Sequence, residues 1–212
     1  MTKHGTGLLG VWMGPAAENE DDLNKWYAEE HLPDRMEIPG FLRARRYESE
    51  QGEPKYVAIY DLESAQVLAS DAYMTVAKNP TPWTQQVTGA LQFFLRNEYE
   101  LVQSIGESRD DAPYMLLVRI ETEPEHLDEL DRWYTEEHLP ALAAVPGVIA
   151  ARRYRATVGS PAYLATYELE SPEVRTSEAW SIAGNTPWTD KMRPLWRNNA
   201  ANIGKLVAVK AK

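Results

Sequence analysis

Trp26-Tyr27-Ala28-Glu29-Glu30-His31-Leu32-Pro33 returns 107 residues later as Trp133-Tyr134-Thr135-Glu136-Glu137-His138-Leu139-Pro140, and the two stretches differ only at Ala28/Thr135. Each leads into a Pro-Gly pair (Pro39-Gly40, Pro146-Gly147) and then into Arg-Arg-Tyr (Arg45-Arg46-Tyr47, Arg152-Arg153-Tyr154), with the same 107-residue spacing. Aromatic, acidic and imidazole residues held in register over so many positions mean an internal duplication. A further shared phrase, Thr-Pro-Trp-Thr at 81–84 and 186–189, is offset by 105, so the second copy is two residues shorter ahead of it. The chain thus divides into halves 1–107 and 108–212, with the charged stretch Gly106-Glu107-Ser108-Arg109-Asp110-Asp111-Ala112 as the linker between them.

Each half reads β-α-β-β-α-β. The apolar run 7–13 suits a strand, and the acid-rich turn after Asn19 or Asp21 opens a helix, as the helix dipole favours. Pro33 is expected to end that helix at His31, because the residue before a proline is pushed out of helical geometry. Phe41–Glu48 and Tyr56–Leu62 form a hairpin around a polar turn. A helix from Ser64 to about Ala77, a helical piece to about Phe94 and a strand from Tyr99 to Ile105 complete the half. The second half repeats this order, its last helical piece reaching Asn199 and its last strand running from Ile203 to Val209. The pattern is α+β and ferredoxin-like. A four-stranded antiparallel sheet with helices on one face leaves its other face bare, and an apolar face of that size attracts a partner. Two such halves in one chain can cover each other, sheet against sheet, as a fused dimer.

Composition narrows the function classes. The 212 residues are 43% hydrophobic and 25% charged, ordinary values for a globular protein. Cysteine is absent, which removes a thiol nucleophile, a disulfide framework and Cys-based metal sites, and fits a cytoplasmic setting. No apolar stretch approaches the roughly 18 residues a membrane span needs, and Met1-Thr2-Lys3-His4-Gly5 has no apolar run of signal-peptide type behind it. A net charge of −10 argues against nucleic-acid binding, which rests on phosphate neutralisation. There is no glycine-rich phosphate loop, nucleophile elbow or His-Glu-x-x-His, and His4 and His126 have no partner at metal spacing.

The repeated phrase carries the candidate chemistry. On a straight helix with Leu23 at zero, Glu30 falls at about −20°, within the apolar stripe, and His31 at about +80°, on its edge. A carboxylate on an aromatic face must pair, protonate or border a cavity. Glu30 and Glu137 are therefore either salt-bridge partners of the arginine strands or companions of a general acid/base, His31 or His138, at a helix end that opens on a pocket. Strand alternation sets Arg45 with Tyr47, and Arg152 with Tyr154, on one face; each pair can hold a carboxylate, phenolate or enolate, or serve as a structural ion-pair partner. Arg43 has no counterpart, since Ala150 stands in its place. Tyr60 and Tyr167 are pocket-lining or core residues, and Trp83 and Trp188, on proline-stiffened loops, are ligand walls or hydrophobic plugs. The tails after these loops diverge, Phe93-Phe94-Leu95-Arg96 against Asn198-Asn199-Ala200-Ala201, which points to one pocket having specialised or degenerated.

The Trp-Tyr-x-Glu-Glu-His-Leu-Pro phrase, the Pro-Gly and strand that follow, and the late Pro-Trp helix resemble the EthD-type branch of the dimeric α+β barrel superfamily. The resemblance covers both halves and implies tandem ferredoxin-like repeats closing into an intramolecular barrel. It also implies the helix histidines, His31 and His138, as the usual site. Chemistry in the superfamily is diverse: cofactor-free monooxygenases, cyclases and dehydratases, decarboxylases, isomerases and some haem enzymes. The expectation is a cofactor-independent lyase, dehydratase or isomerase acting on a small aromatic or polyketide-like molecule, with no cofactor or metal and with a homodimer among its assemblies. Two rivals stand beside it: a non-catalytic binder of a hydrophobic ligand, and a haem protein or cofactor-free monooxygenase.

Overall fold

A computed structural model describes residues 4–212. Eight antiparallel strands close into a barrel in the order β1-β3-β2-β8-β5-β7-β6-β4. The first half supplies β1 (Gly7–Pro15), β2 (Phe41–Gln51), β3 (Tyr56–Leu62) and β4 (Leu91–Gly106), and the second supplies β5 (Tyr114–Glu121), β6 (Val148–Val158), β7 (Tyr163–Leu169) and β8 (Arg197–Ala211). Within each half the order is ferredoxin-like, and the halves join where β2 pairs with β8 and β4 with β6. Equivalent pairings recur, Leu9 opposite Tyr60 and Leu116 opposite Tyr167, so the halves are related by a pseudo-twofold along the barrel axis. The bare sheet faces do cover each other.

Strand alternation sends one set of residues inward. Leu8, Trp12, Tyr47, Val57, Ile59 and Tyr99 meet Met115, Leu117, Tyr154 and Leu164 in one core. One end of this interior is ionic. Arg45 Nη1 donates to Glu168 Oε1 of the other half at 2.6 Å, Arg43 Nε to Asp61 Oδ2 at 2.7 Å, and Arg152 Nη1 lies 3.7 Å from Glu168. The segment between β4 and β5 caps that end: Arg43 also donates to Ser108 Oγ at 2.7 Å and to Asp110 Oδ1 at 2.9 Å, and the Arg109 amide donates to Glu168 Oε2. At the opposite end the Arg119 guanidinium lies 4.5 Å from the Trp12 ring centroid, a cation–π contact between residues at equivalent places in the two halves.

The outward sheet faces are covered by helices α1 (Glu20–Trp26), α2 (Leu32–Glu37), α3 (Asp71–Lys78) and α4 (Pro82–Gly89), and in the second half by α5 (Leu127–Trp133), α6 (Leu139–Ala143), α7 (Glu178–Gly184) and α8 (Pro187–Met192). The helix expected to stop at His31 continues. A π turn, Tyr27–His31, joins α1 to α2, and Tyr134–His138 does the same for α5 and α6. The Leu32 amide reaches back to the Tyr27 carbonyl, and Leu139 to Tyr134. In a regular helix the proline ring would press on the carbonyl four residues back; the wider turn relieves that clash, so Pro33 and Pro140 open α2 and α6 instead of ending the helix.

The last strands begin earlier than expected. β4 starts at Leu91, pairing Phe94 with Met13, and β8 starts at Arg197, pairing with Glu121. Leu91-Gln92-Phe93-Phe94-Leu95 is strongly β-favouring, and a neighbouring strand edge was there to extend it. The stretches after Ser64 and Pro172 open with 3-10 turns, and α3 and α7 start only at the caps Ser70 and Ser177. Among the described residues no helix is long and apolar enough to cross a membrane.

Candidate active site

Between the helices and the outward face of the second-half sheet lies a cavity of about 530 Å³. Leu116, Val118 and Ile120 of β5 and Tyr167 of β7 form its floor, with Tyr134 and His138 of the π turn, Trp180 of α7 and Trp196 around them. The corresponding space in the first half is broken into pieces of about 180 and 270 Å³, both touching His31. There Arg96 fills the space, donating to the Tyr73 hydroxyl at 3.0 Å and to Glu98 at 2.7 Å. Its counterpart in the second half is Ala201, and Phe94 is matched by Asn199. Replacing an arginine and a phenylalanine by alanine and asparagine opens the second pocket.

The π turn sets the histidines. One extra residue in a turn rotates everything after it back by about 100°, which carries His31 and His138 from the edge of the apolar stripe toward its centre. The His138 ring lies 4.1 Å from Trp133 at an interplanar angle of 25° and meets Tyr134 edge-on at 5.4 Å. His31 makes the matching contacts with Trp26 at 4.1 Å and Tyr27 at 5.0 Å, and faces Tyr60 at 6.2 Å. His138 Nδ1 is buried with no hydrogen-bond partner, leaving Nε2 as the nitrogen open to a ligand. Burial, with the positive charges of Arg193 and Arg175, lowers the His138 pKa to about 3. Burial, with Arg35 and Arg46, holds His31 well below its ordinary value too. Both imidazoles are neutral at physiological pH. Burial raises Tyr167 well above an ordinary phenol and Tyr134 to about 12, so both keep their protons as donors.

The glutamates serve a different purpose from the one expected. Glu30 Oε1 accepts from Trp26 Nε1 at 3.0 Å, Thr81 Oγ1 at 2.7 Å and Thr84 Oγ1 at 2.8 Å, buckling the π turn to the start of α4. Glu137 accepts from Thr186 Oγ1 at 2.5 Å in the same way. Neither bridges to an arginine strand. Trp83 and Trp188 are likewise pins, donating to Asp22 Oδ1 at 2.9 Å and Glu129 Oε1 at 2.7 Å, and neither lines a cavity beside a histidine.

The arginine–tyrosine pairs are also placed elsewhere. Arg45, Tyr47, Arg152 and Tyr154 point into the barrel, on the opposite side of the sheet from His31 and His138. The arginines on the helix side are Arg46, stacked between Tyr27 and Tyr56 at 4.4 and 4.0 Å, and Arg153, between Tyr134 and Tyr163 at 4.7 and 5.1 Å. Arg46 donates to Asn24 Oδ1, and Arg153 pairs with Asp131. Of the sequence candidates, only Tyr60 and Tyr167 share a cavity with the histidines. Arg175, Trp180, Arg193, Trp196 and Asn199 line the large pocket and were not singled out as site residues. Their signal lay in comparing the halves, where they replace Leu68, Tyr73, Thr88, Leu91 and Phe94.

No protein-family model matches the chain, and no match was found among curated proteins. Solved structures share its fold. An anthrone oxidase-like protein aligns over 100% of this chain and 95% of its own at a TM-score of 0.68 and 12% identity. A mutant chlorite dismutase from Candidatus Nitrospira defluvii aligns over 98% and 93% at 0.64 and 11%. A ferredoxin-fold protein from Listeria monocytogenes, related to antibiotic biosynthesis monooxygenases, aligns over 96% of each chain at 0.53 and 12%. The fold is a dimeric α+β barrel built from two fused ferredoxin-like units within one chain.

Proposed function

We propose that the second-half pocket is the active site of a cofactor-independent enzyme, in which His138 takes a proton from a small aromatic or polyketide-like molecule. The observation that carries this reading is the position of His138: a neutral imidazole with one open nitrogen, on a roomy cavity walled by Tyr134, Tyr167, Trp180 and Trp196. Cavities of this size and lining suit a flat, mostly apolar ligand. A general base must be unprotonated and within reach of its proton; His138 is unprotonated, and the burial that keeps it so also makes it a weaker base than a free imidazole. The Tyr167 hydroxyl, held protonated by burial, is suited to donate a hydrogen bond to the substrate oxygen on which charge develops as the proton leaves. Enolisation of this kind underlies isomerase, dehydratase and lyase chemistry alike. The first half, with its space divided and Arg96 in place, is the structural partner.

The test is solvent deuterium exchange into enolisable aromatic ketones, followed by NMR. Wild type and His31→Ala are expected to exchange at similar rates, and His138→Ala to lose about 10²–10⁴-fold. Equal exchange in wild type and His138→Ala overturns the proposal. A second reading, a cofactor-free oxygenase, draws support from the fold shared with oxidase-like and monooxygenase-related proteins and from the same carbanion-forming base. Oxygen uptake coupled to loss of substrate distinguishes it. A haem reading fits less well: a metal-bound histidine is normally oriented by a hydrogen bond from its other nitrogen, and His138 Nδ1 has none. The purified protein is expected to show no Soret band.

A further inference from the structure

The large pocket has a charge pattern that proton abstraction alone does not require. Its charged lining residues are Arg175 and Arg193, with no carboxylate among them. Arg175 makes no ion pair among the described residues; its guanidinium lies 5.5 Å from the Trp180 ring centroid. Arg193 donates from Nη1 to Asp190 Oδ1 at 2.8 Å and from Nη2 to Asn185 Oδ1 at 2.5 Å, and both of these partners are exposed, at the rim. Neither arginine is demanded by the fold. The first half builds the same 3-10 turn with Leu68 in place of Arg175, and has Thr88 in the last turn of α4 where Arg193 opens a short 3-10 turn after α8. Two cations, one of them without an ion pair and the other paired only at the rim, added only to the half whose cavity is open, are a complement to negative charge.

We propose that the substrate of this pocket is an aromatic acid, a planar apolar body carrying a permanent carboxylate that is held by Arg175 and Arg193 at the mouth while the ring system enters toward His138. This deepens the reading of the pocket as an active site and rests on it. Guanidinium groups pair with carboxylates through two parallel hydrogen bonds, which fixes orientation as well as charge. The apolar floor of Leu116, Val118 and Ile120 then takes the end of the molecule that bears no charge. A carboxylate between the arginines also offsets the part of the His138 depression that comes from their charge, burial being the larger cause.

The probes are 2-naphthoate and 2-naphthamide, which share a shape and differ in charge, titrated calorimetrically into the full-length protein. Naphthoate is expected to bind at least about tenfold more tightly, with the margin shrinking as salt is raised. Arg175→Gln with Arg193→Gln should abolish the margin, so that naphthoate binds no more tightly than naphthamide; both side chains are solvent-exposed, so the fold should persist. His138→Asn should keep the margin, which separates this inference from the catalytic one. Equal affinities in wild type, or a margin that survives loss of both arginines, overturns the aromatic-acid proposal and leaves the base assignment to its own exchange test. Failure of the wild type to bind either probe also overturns it.

Discussion

The neutral state of His138 has consequences in pH. Its folded pKa of about 3 lies below the ordinary value of 6.5, so between these limits the unfolded chain binds a proton that the folded chain does not. Its contribution to stability is therefore intact above pH 6.5 and falls progressively as pH drops toward 3. Urea titrations across this window should show a shallower acid loss in His138→Gln than in wild type. Glu30 runs by a different balance: burial pushes its carboxyl up, but hydrogen bonds from Thr81, Thr84 and Trp26 more than offset this and hold it below 4.5. Glu30→Gln should cost about 1–3 kcal/mol in chemical denaturation and leave exchange at His138 untouched, because the glutamate ties helices together and does not meet the ligand. The sequence singled out these residues because a glutamate and a histidine among aromatics are chemically conspicuous. It could not assign their parts, since one residue of rotation exchanges the face that sees the loop for the face that sees the sheet.

That rotation belongs to the π turn, which no periodicity analysis on a regular helix contains. Pro33 and Pro140 announced an irregularity, and the expectation of a helix stop was the simplest accommodation; a wider turn is the other one. Deleting Thr135 should restore a regular helix, keep His138 at the cavity because the lost residue compensates for the lost wide turn, and set Pro140 against the carbonyl of Glu136. The expected cost is about 3 kcal/mol, measured by thermal unfolding, with naphthoate binding retained. Adding Pro140→Ala should recover much of the stability, which assigns the loss to the proline ring and not to the position of the histidine. The strands were legible because alternation and the Arg-Arg-Tyr repeat fixed their faces. Arg45 and Tyr47 were correctly set on one side of β2, but which side faced the helices depended on the partner sheet, and that is a tertiary fact.

Across the whole molecule, the duplication made the architecture readable: two ferredoxin-like orders in one chain have few ways to bury two bare sheets. What it concealed was the divergence between the halves. Glu168 is the junction of the ionic end. Burial pushes its carboxyl up, and Arg45, Ser108 and the Arg109 amide hold it below its ordinary value. Glu168→Ala removes the carboxylate that Arg45 meets at 2.6 Å and Arg152 at 3.7 Å, leaving Arg45 only its longer contact to Asp61, and should cost about 3–5 kcal/mol in urea unfolding. The pair at the other end has a different meaning. In a barrel closed by two identical chains, every residue near the axis must face its own twin. Trp12 would then confront a second indole, or Arg119 a second guanidinium, and neither match offers a cation to a ring. Trp12 facing Arg119 is an arrangement no homodimer can write, because one gene position cannot encode both members. Joining the halves freed each position on the axis to become a lock or a key, and the same freedom let one pocket close while the other opened.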